Sequence, residues 1–172
     1  MRQSMQNFAT TWERIGNSQA TEEELIGFVE YLKHTDFPRY ASFTKQDIST
    51  IIRQANEHYQ LAHAMGEQGK RIDAIREYGK AVDLFPLFFE AVDNRAFTYM
   101  ELGLFEQALR DFEVSLYLNP DGMSAFFSKG ECLLGLGKLT AAEDIFSEGI
   151  KRFPEHAASF QQFLHRAREM QK

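Results

Sequence analysis

Three prolines recur at one spacing: Pro86, Pro120 and Pro154 stand 34 residues apart. Gly69, Gly103 and Gly137 keep the same step, as do Ala74, Ala108 and Ala142, and Tyr78, Phe112 and Phe146. Four columns in phase at one period are very unlikely by chance. A period of this length is the signature of a helix-turn-helix unit that buries its apolar face only by stacking on its neighbours. The expected fold is therefore all-α, a right-handed α-solenoid.

The period divides the chain into an N-terminal helical region, 1–54, three repeats, 55–88, 89–122 and 123–156, and a terminal helix, 157–172. In each repeat the Gly falls where the first helix ends, where a left-handed residue without a Cβ can stop it. The Pro lies just past the second helix, which it cannot continue. The small residue at the eighth position (Ala62, Ala96, Gly130) and the Ala at the twentieth let paired helices approach closely. The ring at the twenty-fourth fills the space towards the next repeat.

On these residues the chain resembles the tetratricopeptide repeat (TPR) family. Leu61, Ala62, Ala74, Tyr78, Ala81 and Pro86 carry the likeness in the first copy. Ala96, Tyr99, Ala108, Phe112 and Pro120 carry it in the second, and Gly130, Leu133, Ala142, Phe146 and Pro154 in the third. His58, Val92 and Phe126 stand where Trp is usual, and Ser115 and Gly149 replace the later Ala. The resemblance covers residues 55–156. It implies a protein-binding scaffold, and it names no partner, because function resides in the site and not in the fold.

The flanks read as helix too. Phe160, Phe163, Leu164 and Ala167 form one apolar stripe, the expected cover for the last repeat. Met5, Phe8, Trp12 and Ile15 share another helical face. Thr21 with Glu24 forms a capping box before the stripe Leu25, Phe28, Val29 and Leu32. Pro38 interrupts the stretch 34–43, and Thr44 with Asp47 opens a helix expected to run on into the first repeat. Residues 1–54 thus brace the solenoid, pair two chains into a homodimer through the Met5–Trp12 stripe, or fold across the groove.

Composition narrows the function. The net charge of −6 disfavours a nucleic-acid binder, which relies on basic patches. No apolar run approaches the roughly 20 residues that span a bilayer. The lone Cys132 rules out an internal disulfide, and the N-terminus carries no apolar secretory block, so a cytosolic protein is expected. Aromatics make up 13% of the chain, with 16 Phe. Either the core is Phe-rich or part of this surface awaits a partner.

The second, fifth, ninth and twelfth positions of each repeat share one helix face. The family resemblance implies that this face lines a concave groove. It carries Asn56, Tyr59, His63 and Gly66, then Glu90, Asp93, Phe97 and Met100, then Ser124, Phe127, Glu131 and Leu134, with Asn94 beside them. None is Lys or Arg. The expected ligand is a protein or peptide with apolar anchors and basic flanks. The alternative is that Phe97, Met100 and Leu134 are core packing. The family's carboxylate clamp for heat-shock chaperone tails requires cations and amides where this chain has Tyr59, His63, Asn94, Ser124 and Ser128. Only Asn94 fits, so that clamp is not expected. Residues 126–146 also resemble the last repeat of type III secretion translocator chaperones, so a cytosolic chaperone of a secreted or membrane-inserting partner is the alternative to an adaptor. No catalytic constellation, metal or cofactor is expected. His58 and His63 are five apart, Gly135–Lys138 fits a repeat turn better than a phosphate loop, and Cys132 lies mid-helix.

Overall fold

The computed structural model describes residues 14–15, 19–33 and 44–171. These hold eight α-helices and one short 3₁₀ turn, Pro154–His156. The helices are α1 (Glu22–Lys33), α2 (Lys45–Glu67), α3 (Arg71–Leu84), α4 (Phe89–Glu101), α5 (Phe105–Leu118), α6 (Met123–Gly135), α7 (Leu139–Arg152) and α8 (Ala157–Glu169). From α2 onward each helix packs on the next, while α4 also touches α6 and α6 touches α8. Alternate helices therefore lie side by side, which makes a solenoid of two helical layers.

The repeat turns follow one hydrogen-bond pattern. Gly69, Gly103 and Gly137 have φ of 76°, 70° and 69°. The next residues, Lys70, Leu104 and Lys138, donate back to Met65, Tyr99 and Leu133 at 2.9 Å each. These bonds close the free carbonyls of α2, α4 and α6. At the other end, α3, α5 and α7 each stop two residues before the periodic proline.

The small columns lie where the helices cross. Ala62, Ala96, Ala74, Ala108 and Ala142 are fully buried. A Cβ on Gly130 would come within 2.5 Å of the Phe146 ring, so that crossing tolerates only glycine. Phe85, Phe88, Phe112, Phe146 and Phe160 are all fully buried. Each contributes on the order of 1.5–3 kcal/mol from the apolar area removed from water. The core thus takes up these five of the 16 Phe, and Phe28, Phe126 and Phe153 are buried as well.

Both capping boxes are present. The Thr21 amide donates to Glu24 at 2.7 Å, and the Thr44 amide donates to Asp47 at 2.8 Å. The helix opened by Thr44 is continuous from Lys45 to Glu67, so the boundary drawn at 54/55 falls inside one helix. Ile15 and Phe28 are buried in a cluster with Ile48, Ile52, Phe85 and Phe88. These N-terminal residues therefore brace the first helix pair. Met5, Phe8, Trp12 and the stretch 34–43, and with them the dimer reading, lie outside the described residues, as do the side chains of Val29 and Leu32.

Candidate functional site

The face formed by α2, α4, α6 and α8 holds the residues singled out in the sequence, but unevenly. On α2, Asn56 and Tyr59 are half-buried and His63 is exposed. The Tyr59 hydroxyl accepts a hydrogen bond from Asn94 Nδ2 at 2.8 Å, and its ring sits 4.8 Å from Phe88 and edge-on to His63 at 5.6 Å. Asn94 therefore joins α4 to α2.

On α4, Glu90, Asp93, Phe97 and Met100 are half-buried. Phe97 packs edge-on against Phe112 at 5.0 Å, so one side of its ring belongs to the core. The Oδ1 atom of Asp93 is sheltered from solvent and makes no hydrogen bond. Burial raises the Asp93 carboxyl above its ordinary pKa, and the Ser115 hydroxyl opposes the shift.

On α6, Ser124 is exposed, and Phe127 and Glu131 are half-buried. Leu134 corrects the expectation. It is 7% exposed and packs in the core cluster of α6, α7 and α8, so it offers a partner almost nothing. Phe127 contacts Phe160 at 5.2 Å and Phe163 at 4.9 Å, both on α8. Glu131 has its pKa raised by burial, with the Arg166 charge acting against the shift. None of the residues selected from the sequence is a cation, but α8 adds the charge of Arg166 near enough to act on Glu131. On α4 and α6, Arg95 forms a paired bridge to Asp111 at 2.7 and 2.9 Å, and Lys129 reaches Glu113 at 3.2 Å. Beside Glu131, the Cys132 thiol is fully buried and pushed up to about 12, first by burial and then by the Glu131 charge. That favours a packing thiol over a nucleophile.

A cavity of about 320 Å³ opens on this face. Phe97, Ser124 and Phe127 line it, as the sequence suggested, with Ser128, one of the clamp positions, and with Met123, His156 and Ser159, which the sequence reading does not place there. The signal for the last two was available. Continuing the 34-residue period past residue 156 sets α8 in line with α2, α4 and α6, as a fourth groove-lining helix. Read only as a cover, α8 was denied a role in the site.

Fold and cavity together define a class: an α-solenoid of helix-turn-helix repeats with a partly apolar pocket on the layer formed by α4, α6 and α8. Within these repeats, residues 94–157 match the tetratricopeptide repeat family model. Human DnaJ homolog subfamily C member 7 is 29% identical over 119 residues, which is 69% of this chain and 23% of that protein. The chain spans about a quarter of the length of the curated relatives it matches. Among solved structures, the second TPR domain of human RPAP3 in complex with the HSP70 peptide SGPTIEEVD superposes with a TM-score of 0.63 at 22% identity, covering 69% of this chain and 98% of that one. The Yersinia enterocolitica type III secretion chaperone SycD, in complex with a peptide of the translocator YopD, gives 0.61 at 18% identity, covering 68% and 94%. At these identities the structures establish the fold. No described helix is long and apolar enough to cross a membrane.

Proposed function

We propose that this chain is a non-catalytic protein-interaction module of the cytosol that holds a partner segment in the groove between α4, α6 and α8. The carrying observation is the cavity of about 320 Å³, lined by the apolar Phe97, Met123 and Phe127 and by the polar Ser124, Ser128, Ser159 and His156. Apolar walls with a few placed polar groups are what a recognition pocket requires. RPAP3 and SycD hold peptides on this same fold, which supports a peptide as the ligand class. An acidic tail such as that of the HSP70 peptide fits poorly here. It would meet Glu90 and Asp93, and Asn94 is already engaged by Tyr59.

Ser159 lines the cavity yet is exposed, so enlarging it should not disturb the core. Ser159→Trp is expected to leave the melting temperature unchanged and to abolish capture of those lysate proteins that wild type retains through the groove. Identical captured sets from the two proteins, read by mass spectrometry, would overturn the assignment. An adaptor should release its captured partner in soluble form. A translocator-type chaperone, the second reading, should hold one that precipitates when expressed alone.

A further inference from the structure

The junctions between successive helices of the groove layer differ at one position. The 34-residue period sets Tyr59, Asp93 and Phe127 in one register, and Asn94 and Ser128 in the next. At the α2–α4 junction the Tyr59 ring packs 4.8 Å from Phe88, and its hydroxyl accepts from Asn94 across the junction at 2.8 Å. At the α6–α8 junction the Phe127 ring packs 4.9 Å from Phe163. The α4–α6 junction between them has no ring in this register. Asp93 stands there, and its carboxylate is bound to the buried Ser115 of the other helical layer. The cavity of about 320 Å³ opens at this junction, lined from α4 by Phe97 and from α6 by Met123, Phe127 and Ser128.

The lining selects the occupant. A volume at the low end for ligand pockets suits one large side chain and not the face of a helix. None of the seven lining residues is Asp, Glu, Lys or Arg, so a charged side chain would lose its water there without gaining a counter-charge. Of the seven, only Ser128 is buried, at 4% exposed. The buried Thr98 of α4 settles its hydroxyl on the Asn94 carbonyl at 2.7 Å, whereas the Ser128 hydroxyl makes no hydrogen bond among the described residues. A wholly apolar anchor such as Phe or Leu would shut that hydroxyl from water unpaired, at a cost in free energy. A phenol brings an apolar ring to Phe97 and Phe127 together with a hydroxyl that can donate or accept.

We propose that the cavity receives a tyrosine side chain of the partner segment, its ring against Phe97 and Phe127 and its hydroxyl paired with Ser128. The partner's ring then does at the α4–α6 junction what Tyr59 does at the α2–α4 junction, where Asn94, in the register of Ser128, already binds a phenol. This rests on the groove reading above and adds to it the identity of the anchor.

The probes are five-residue glycine peptides, blocked at both ends, with Tyr, Phe, Trp, Leu or Arg at the centre. The readout is the movement of backbone amide signals in nitrogen–proton NMR spectra of the full chain, titrated to millimolar peptide. The Tyr peptide should move the amides of Phe97, Phe127, Ser128 and Ser159 and bind about tenfold tighter than the Phe peptide. Ser128→Ala should weaken the Tyr peptide to the level of the Phe peptide, with circular dichroism confirming the fold. The Tyr-to-Phe comparison on wild type stands without that variant. Binding by the Phe, Trp, Leu or Arg peptide as tight as that by the Tyr peptide, or a Tyr preference that survives Ser128→Ala, overturns the tyrosine assignment. Ser159→Trp separates the two levels. Binding that it abolishes keeps the groove reading whichever anchor is preferred, whereas binding that it does not touch overturns both. No binding by any peptide at millimolar concentration also overturns the tyrosine assignment, and the lysate capture then decides the groove alone.

Discussion

Gly149 stands where the two earlier repeats carry Ala81 and Ser115. The sequence marks this as a departure from the repeat, and the structure supplies its reason. A Cβ at 149 would lie 2.3 Å from the Phe160 ring, which is fully buried. Phe160 is in turn held by Phe126, Phe127, Phe146 and Phe153, so it has no slack. Two effects of opposite sign compete in Gly149→Ala. The helix gains about 0.8–1 kcal/mol of propensity. The overpacking costs about 1–3 kcal/mol. Overpacking should win, and calorimetry should show a lower melting temperature; a rise would mean that the α7–α8 contact is soft. Asp93 is a second residue-scale case, and periodicity could not reveal it. Placement on the groove face was legible, but the degree of burial depends on how α4 settles against α5. Because its folded pKa is raised above the unfolded one, its charge opposes folding at neutral pH. That penalty fades as pH falls through the folded value towards the unfolded one. Asp93→Asn is therefore expected to melt higher than wild type at pH 7, with the gap closing towards pH 4. A gap independent of pH would show that the gain comes from something other than the lost charge.

At the scale of elements, start and stop signals were the most legible part of the chain, because they act within a few residues. Thr21–Glu24 and Thr44–Asp47 form reciprocal boxes, and three glycines end three helices alike. Which face each helix presents was legible too, except where a helix serves two masters. Leu134 shares the groove register yet is drawn into the core by α7 and α8, and Phe127 is shared between the cavity and the α8 rings. Such divided faces follow from the superhelical turn of the stack, which a one-repeat pattern does not contain. The cap of α2 offers a clean test, since Thr44 accepts from the Asp47 amide at 3.2 Å at the head of a 23-residue helix. Thr44→Ala should destabilise the protein by about 0.5–2 kcal/mol in denaturant titration. The loss should not add to that of Asp47→Ala, because each substitution breaks the same reciprocal pair. Full additivity would mean that the two residues act separately.

For the whole molecule, the decisive element is α8, because it serves stability and site together. A solenoid is held by contacts between neighbours, so an uncovered terminal face weakens the adjoining unit first. The α8 helix buries Phe160 and Ala167 against Phe126, Phe146 and Phe153 of the repeat before it. On its other faces, Gln161, Gln162, His165 and Arg168 meet solvent. It also brings Ser159 to the cavity and Arg166 to Glu131. Phe160→Ala should therefore cost about 3–5 kcal/mol, the range for a ring deleted from a closed core. Deleting residues 157–172 should do more, leaving Phe126, Phe146 and Phe153 on an open face. The shortened protein should self-associate in light scattering and lose near-ultraviolet dichroism, while far-ultraviolet helicity falls only by the share of the missing helix. Ser159→Trp isolates the other role, since it blocks the cavity and leaves the rings covered. If the shortened chain stayed monomeric with an unchanged melting temperature, α8 would be no part of the core. The rings clustered about Phe127 would then need another explanation, with the groove as the first candidate.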